Sequence, residues 1–324
     1  MVISRTPFRI SFFGGGTDYK NFFEKHGGSV LETSVNKFCY VTVREYPPYF
    51  SSKNQFTYSK IEHFNSPDEL SHPVVRELMK YMNEDGLQIS YDADLPARSG
   101  IGSSSAFTVG LLNAVNTLRG RNANAFTLSN DAITIERERC NECGGIQDQI
   151  ATAYGGFNRI DFDSSGFQVK PVNVSYSRLS EFNKNLMLCF SGIKRNSYEI
   201  AAEQSQNLSQ NINTLCEMKS LVDDAEKILS SSQSTDNIGE LLDYSWSLKQ
   251  KLSDKIANPL VDEIYETAKK NGAIGGKLLG AGGGGFLLLY VPENNQEKVR
   301  EALNNYMFVP FSFEPTGSRI IYKS

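Results

Sequence analysis

The chain has 324 residues, with 33 Lys and Arg against 37 Asp and Glu, which gives a formal net charge of −4. A slightly acidic chain without a dense run of Lys or Arg is not expected to take nucleic acid or an anionic membrane as its main partner. No stretch approaches about 18 consecutive apolar residues. The first residues lack the charged-then-apolar pattern of a signal peptide, and five cysteines fit a reducing compartment, so we expect a cytoplasmic protein.

The first half of the chain is predicted to mix strands and helices. Strands are predicted at residues 8–13, 35–45 and 87–93, with a hairpin formed by 157–162 and 167–173. Helices are predicted at 73–83, with Ser71 as a candidate N-cap, at 106–118, at 126–142, and from 146 to the glycine pair at 155–156. This order of elements indicates the α+β class.

The second half differs in character. After a strand at 185–190, residues 196–270 show mostly helical periodicity, interrupted by a polar loop at 230–235. Strands return at 285–291 and 318–323, with a helix near 295–305 between them. We find no internal repeat and place a domain boundary near residue 180, which divides the chain into units 1–180 and 181–324.

The segment LPARSGIGSSSA at 95–106 is the most informative part of the sequence, because it runs directly into an apolar, helix-forming stretch. Backbone N–H groups at a helix start lack intrahelical partners, and glycines let that backbone approach an anion closely. The alternative is an ordinary serine N-cap after a tight turn, which needs one Ser and at most one Gly. Two glycines and three consecutive serines favour phosphate binding.

A second glycine cluster, GAGGGG at 280–285, matches the letters of the dinucleotide pattern G-x-G-x-x-G. That pattern must open a helix, whereas here it precedes the apolar run FLLLYV, which is typical of a buried strand. An NAD-dependent dehydrogenase is therefore a weak alternative. Spacing alone leaves open whether the cluster is a phosphate-facing turn or a close-packed hairpin.

Two carboxylates are candidates for phosphoryl-transfer chemistry, which needs a metal to neutralise charge and a group that can accept a hydroxyl proton. Glu136 lies within a predicted helix, and Asp148 begins the next one after the break at Gly144 and Gly145. Taken alone, a solvated helix face explains Glu136, and an ordinary helix-start acid explains Asp148. Their presence alongside three glycine loops favours a functional interpretation.

Cys140 and Cys143 form a C-x-x-C pair. A structural zinc site would require a second Cys or His pair, and the three histidines lie far upstream. We interpret these thiols as packing residues at a helix end, with a metal or redox role as the less favoured alternative.

Three motifs, in order along the chain, resemble those of the GHMP kinases, the family that includes galactokinase, mevalonate kinase and homoserine kinase. They are PFRISFFGGGTDY at 7–19, the segment at 96–106, and KLLGAGGGGF at 277–286. The resemblance implies a two-lobed fold with the active site between the lobes. The N-terminal lobe would be like domain 2 of ribosomal protein S5, and the C-terminal lobe would be a ferredoxin-like α+β unit.

The resemblance also implies roles for individual residues. ATP phosphates would be held by the second motif, at Pro96, Ser99, Gly100, Ile101, Gly102, Ser103, Ser104 and Ser105. Ser104 and Glu136 would hold Mg²⁺. Asp148 matches the catalytic aspartate of galactokinase-like members, and Arg9 matches the basic residue that lies beside it and favours its ionised form.

The acceptor is implied by the first motif, where galactokinases carry GEHTDY and this chain has GGGTDY. Gly15 and Gly16 leave space for a larger sugar that already carries phosphate, while Thr17 and Asp18 are kept. Together with TSVNK at 33–37, this segment most resembles bacterial D-glycero-D-manno-heptose 7-phosphate kinases. The implied acceptor contacts are Gly15, Gly16, Thr17, Asp18, Gly283, Gly284 and, for its phosphate, Arg195, which a solvated loop explains nearly as well.

The implied reaction is transfer of the ATP γ-phosphoryl group to the anomeric hydroxyl of the heptose phosphate, giving the 1,7-bisphosphate. Two alternatives stay open on the same fold. One is a kinase for a free hexose such as fucose or galactose, and the other is a sugar-binding regulator without catalysis.

Overall fold

The structure is a computed structural model, and it describes residues 1–193 and 197–324. Its described strands form two sheets. In chain order the strands are β1 Val2–Phe13, β2 Gly28–Glu45, β3 Asn54–Thr57, β4 Ile61–Phe64, β5 Leu87–Ala93, β6 Phe157–Asp163, β7 Gly166–Pro171, β8 Leu186–Phe190, β9 Gly275–Leu278, β10 Phe286–Tyr290, β11 Met307–Val309 and β12 Arg319–Lys323.

The first sheet is built around the long strand β2. It has the order β12-β1-β2-β5-β3-β4, and β6 pairs with β2 and carries β7 at its outer edge. All of these pairs are antiparallel except β3 with β5. One half of β2 pairs with β6 and the other half with β5, so a single 18-residue strand organises the sheet.

The second sheet is smaller, with the antiparallel order β11-β8-β10-β9. Its strand β10 follows the glycine cluster directly, which confirms that G-x-G-x-x-G here opens a strand and not a helix. One hydrophobic core joins the two sheets, because Phe8 and Phe12 of β1 belong to the same buried cluster as Leu188 and Leu288. The site described below lies at this junction.

Helices cover both sheets. They are α1 Lys20–His26, α2 Pro73–Met82, α3 Ser103–Leu118, α4 Ala125–Ile133, α5 Gln147–Tyr154, α6 Tyr176–Lys184, α7 Ser197–Gln206, α8 Ile212–Ser230, α9 Asp236–Gln250, α10 Pro259–Lys270 and α11 Gln296–Ala302. Within the described ranges, no helix combines the length and apolar character needed to cross a bilayer.

Helix α3 shows how the sequence positions the site. It is apolar on nearly every face, and such a helix is stable only where it is surrounded by protein. It packs on β1 and β2 and against α5, with its N-terminus directed to the junction of the two sheets. Gly102 caps that end in a left-handed conformation, with φ of 73°.

Most predicted elements are present, and three local predictions differ from the structure. The helix predicted at 126–142 ends as an α-helix at Ile133 and continues as a π-helical turn, Thr134–Arg139. Helix α2 is preceded by His72, which makes no side-chain cap, so Ser71 is not its N-cap. Strands β3 and β4 were not predicted, because each has only four residues and they depend on pairing with β5 and with each other.

The C-terminal segment returns to the first sheet. Strand β12 pairs with β1, and Phe313 forms a bridge with Val35 of β2. The boundary near residue 180 stays a prediction, but the end of unit 181–324 is bonded to the N-terminal sheet. Backbone pairing across such a distance in sequence carries no local signature, which is why the second unit was predicted to run to the C-terminus.

Candidate active site

The three glycine turns predicted from the motifs line one cleft between the two sheets. The turn after β1 contributes Gly15 and Gly16, and the turn before α3 contributes Gly100 and Gly102. The turn between β9 and β10 contacts the second turn directly. A Cβ on Gly100 would lie 2.5 Å from the carbonyl oxygen of Leu279, so only glycine allows this approach.

Arg9 and Asp148 form a bidentate ion pair at the centre of the cleft. Arg9 Nε donates to Asp148 Oδ1 and Nη2 donates to Oδ2, both at 2.8 Å. The third guanidinium nitrogen, Nη1, donates to the carbonyl of Gly100 at 2.8 Å. Arg9 is 3% exposed and Asp148 is 25% exposed, so the arginine is fixed and the carboxylate faces the cleft. This geometry orients the Asp148 carboxylate before any ligand binds.

Asp18 is buried beside this pair and is held by backbone donors. Its carboxylate accepts from Gly16 N at 2.9 Å and from Gln147 N at 3.1 Å. Burial raises the pKa of Asp18, the backbone donors oppose that shift, and the nearby Asp148 charge adds to it. Gly145 packs directly on the carboxylate, because a Cβ there would lie 1.8 Å from Asp18 Oδ2.

Thr17 lies behind the cleft and does not line it. Its one hydroxyl proton is shared between the carbonyls of Gly14 at 2.8 Å and Ser29 at 3.0 Å, and the hydroxyl oxygen accepts from Ser29 N at 3.1 Å. The prediction that Thr17 contacts the acceptor is therefore wrong, because its hydroxyl bonds to the backbone of the turn. The residue closes the turn that presents its neighbours, because a buried hydroxyl must find hydrogen-bond partners.

Glu136 is buried at the cleft in a cage of polar side chains. It accepts from Ser105 Oγ at 2.9 Å and Thr108 Oγ1 at 2.6 Å, and Gln149 Nε2 also donates to it. The π-helical turn places Glu136 there, and such turns are frequent at functional sites. Ser104 lines the cleft and is exposed, whereas the serine that bonds to Glu136 is its neighbour Ser105.

The start of α3 supplies an anion-binding surface. Of the eight residues predicted to hold phosphates, five line the cleft: Gly100, Gly102, Ser103, Ser104 and Ser105. The other three do not. Ser99 is buried, with its hydroxyl donating to Pro96 O at 2.6 Å and its carbonyl accepting from Phe286 N at 3.0 Å. Ile101 belongs to the core, so these residues shape the loop from behind.

Two buried lysines in the cleft were missed from the sequence. Lys277 Nζ donates to Phe12 O at 2.7 Å, and Lys249 Nζ donates to Leu278 O at 2.8 Å and Gly280 O at 2.6 Å. Burial, with Arg9 nearby, lowers the pKa of Lys277 to about 7. Burial also holds the pKa of Lys249 well below its usual range. The available signal for Lys277 was its place at the start of the third motif, directly before Leu278 and Leu279.

The remaining predicted site residues have mixed outcomes. Gly284 lines the cleft, but Gly283 donates its N–H to Ile256 O at 2.8 Å and its carbonyl accepts from Asn258 Nδ2 at 3.1 Å, which directs it to a neighbouring loop. Arg195 lies outside the described residues. Cys140 packs on a core cluster, as predicted. Cys143 lines the cleft instead, so its interpretation as a packing residue is wrong.

Two sequence models of known protein families match the chain. Residues 69–156 match the GHMP kinases N terminal domain, and residues 222–308 match the GHMP kinases C terminal domain. Together these segments cover more than half of the chain. They include the start of α3, Glu136, Asp148, Lys249 and the third glycine turn.

Relatives and solved structures agree with this match over the full chain. The D-glycero-alpha-D-manno-heptose 7-phosphate kinase of Campylobacter jejuni is 28% identical, covering 98% of this chain and 97% of that protein. A galactokinase of Thermosipho africanus is 23% identical over 96% of this chain and 95% of its own. In structure, a D-glycero-D-manno-heptose 1-phosphate kinase from Bacteroides thetaiotaomicron superposes with a TM-score of 0.80, 24% identity and full coverage of both chains. The chain belongs to the GHMP kinase family and is a phosphotransferase.

Proposed function

We propose that this kinase transfers the γ-phosphoryl group of ATP to the anomeric hydroxyl of D-glycero-D-manno-heptose 7-phosphate, giving the 1,7-bisphosphate. The observation that carries the proposal is the Arg9–Asp148 pair, with both Asp148 oxygens held at 2.8 Å, in the same cleft as the glycine-capped start of α3. The similarity to the Campylobacter jejuni kinase supports the choice of acceptor.

The residues at the start of α3 fit the nucleotide. Backbone N–H groups there have no intrahelical partner, and the helix dipole adds partial positive charge. Glu136 and the serine hydroxyls form the set of hard oxygen donors that Mg²⁺ prefers, with Ser104 and Glu136 as its proposed ligands. When bound, the ion neutralises phosphate charge.

The acceptor hydroxyl is proposed to lie at Asp148. Phosphoryl transfer makes small covalent demands on the protein, so catalysis depends on positioning and on charge. Arg9 fixes the carboxylate from behind, which leaves its cleft-facing side available to a hydroxyl proton. We expect Asp148 to orient the hydroxyl and to accept its proton as the bond to phosphorus forms.

The sugar is proposed to lie against Gly15, Gly16 and Asp18. The two glycines line the cleft and present backbone in place of side chains, which leaves room for a seven-carbon sugar. Asp18 stays buried and bonded to backbone, so its remaining oxygen lone pairs are the acceptors offered to sugar hydroxyls.

A biosynthetic role upstream of nucleotide-activated heptose and surface polysaccharide follows from this product. A cytoplasmic location is part of the same proposal. It is supported by the five cysteines, all of which are free thiols.

The test is an ADP-release assay that compares heptose 7-phosphate with galactose and fucose, with phosphorus NMR to identify the phosphorylated position. We expect turnover with the heptose phosphate and a new anomeric phosphate signal. Turnover confined to a free hexose would favour a galactokinase-like or fucokinase-like enzyme. Binding of the sugar without ADP release would support a non-catalytic regulator.

A further inference from the structure

Lys249 and Lys277 are buried lysines in the cleft, and the reaction proposed above gives them no role. They come from different elements, α9 and β9, and both line the cleft together with Arg9. Among the ion pairs of the described residues, neither lysine has a carboxylate partner, whereas Arg9 is paired with Asp148.

Four carboxylates of the described residues line the cleft together with the lysines, and each already has a partner. Glu142 is paired with Arg137 at 3.7 Å. Asp148 is held by Arg9, Asp18 by two backbone N–H groups, and Glu136 by hydroxyl and amide donors. Both lysines therefore bond only to carbonyl oxygens. An ammonium group has three donors, so Lys277 has two left after its bond to Phe12 and Lys249 has one left after its bonds to Leu278 and Gly280.

A buried cation without a counter-ion is costly, and carbonyl dipoles offset only part of that cost. The depressed pKa values of both lysines express the same cost. A dianionic ligand would remove it by supplying the missing negative charge and acceptors for the unused donors.

We propose that Lys249 and Lys277 form a binding site for a phosphoryl group in the cleft, beside the Arg9–Asp148 pair. That group has two sources, the terminal phosphate of the nucleotide or the phosphate that the acceptor already carries. Only the second source rests on the proposed function. In either case the lysines are ligand-binding residues and not merely supports between the two sheets.

The test uses Lys249→Gln and Lys277→Gln, because glutamine keeps a donor for the carbonyl oxygens and removes the charge. Titration calorimetry measures binding of three probes: the ATP analogue AMP-PNP with Mg²⁺, heptose 7-phosphate, and unphosphorylated heptose. We expect each variant to weaken one phosphorylated probe by about 10- to 100-fold, the usual range for a hydrogen bond to a charged group. Unphosphorylated heptose should bind within about twofold of the wild type.

The matched control is Lys251→Gln, which removes the same charge from an exposed residue at the end of α9. A loss confined to AMP-PNP assigns the site to the nucleotide, and a loss confined to the sugar phosphate assigns it to the acceptor. Binding of both phosphorylated probes at the level of Lys251→Gln would overturn the proposal. Lys277→Arg keeps the charge. It should retain affinity for the phosphorylated probe if that affinity depends on charge, and it should lose affinity if only the fit of lysine between the sheets matters.

If the wild type does not turn over heptose 7-phosphate, the proposed acceptor is wrong, but the AMP-PNP arm still tests the lysine site. Melting temperatures of all variants without ligand identify any that fail to fold. For those, Lys→Met variants at the same positions repeat the titrations with an apolar side chain of similar length.

Discussion

Arg9 and Lys277 are both buried in the cleft, but they differ in their partners. Arg9 meets the two oxygens of Asp148 at 2.8 Å, whereas Lys277 meets only the carbonyl of Phe12 at 2.7 Å. A paired charge is oriented before any ligand arrives, since its partner already lies in place. An unpaired buried charge stays costly until a ligand of opposite sign binds.

Glu32 provides a third case nearby. It is buried on β2, opposite Ser11 of β1, and neither of its oxygens has a hydrogen-bond partner among the described residues. Burial raises the pKa of Glu32 well above its ordinary value, although Arg9 opposes this shift. Burial therefore disfavours the charged form of Glu32, and the guanidinium of Arg9 bonds to Asp148. In our proposals, Arg9 and Asp148 serve the reaction, while the lysines bind a phosphoryl group.

The largest expected effect comes from breaking the ion pair between Arg9 and Asp148. Asp148→Asn removes the carboxylate that Arg9 orients and leaves a poor proton acceptor, so kcat should fall by at least about 100-fold. The nucleotide should bind with nearly unchanged affinity, because the start of α3 is untouched. Steady-state ADP release and AMP-PNP titration measure these two quantities.

The control for this variant is Asp224→Asn, which makes the same charge change at an exposed position of α8. It should turn over like the wild type. An Asp148→Asn enzyme with wild-type kcat would mean that the paired charge has no role in the chemistry.

The Arg9–Asp148 pair was largely predictable from the sequence, because Arg9 lies in the first motif and the resemblance to GHMP kinases implied Asp148. Taken alone, Asp148 and Glu136 had ordinary explanations as helix acids. The three glycine loops and the resemblance to GHMP kinases favoured functional roles for both, and Gly100 was predicted from the loop that opens α3. The structure brings them into one cleft, as the motif order implied. The same motif reasoning assigned Thr17 to the acceptor, although its hydroxyl is used by the turn itself.

Lys249 was not predictable from the sequence, because burial without a charged partner is a property of the folded chain. Lys249 lies in a helix whose sequence is mostly polar, and nothing local distinguishes it from the exposed Lys251 two residues later. Likewise, the pairing of β12 with β1 joins the two ends of the chain, which no local pattern indicates. Propensity and periodicity describe neighbours in sequence, and these features depend on neighbours in space.

The next effect tests whether burial without a counter-ion lowers the pKa of Lys277 in the free enzyme. The folded protein holds this proton with a pKa of about 7, against 10.5 for an ordinary lysine. Between these values the unfolded chain binds more protons than the folded one, so stability rises as pH rises. This contribution amounts to about 1.4 kcal/mol of unfolding free energy per pH unit.

Urea denaturation at pH 7.5, 8.5 and 9.5 measures this slope in the wild type and in Lys277→Met. The wild type should gain stability relative to the variant as pH rises, while Lys251→Met should run parallel to the wild type. A wild-type slope equal to that of Lys277→Met would show that Lys277 titrates normally, and the contrast with Arg9 would then be lost.

The smallest effect concerns the hydroxyls near Glu136, where the motif and the structure favour different serines. Ser104 was predicted as a Mg²⁺ ligand and lines the cleft, whereas Ser105 donates to Glu136 at 2.9 Å. If Ser104 binds the ion, Ser104→Ala should raise the Mg²⁺ concentration for half-maximal rate by about tenfold. Ser105→Ala should then act less, because it changes only the orientation of Glu136.

Thr108→Val is the matched control for Ser105→Ala, since Thr108 donates to the same carboxylate at 2.6 Å and has a side chain of the same shape as valine. The two variants should shift the Mg²⁺ dependence by similar, small amounts if both hydroxyls only position Glu136. A shift in Ser105→Ala that exceeds both Thr108→Val and Ser104→Ala would make Ser105 the ligand. It would also place the metal deeper in the cleft, beside the buried Ser105 and Glu136.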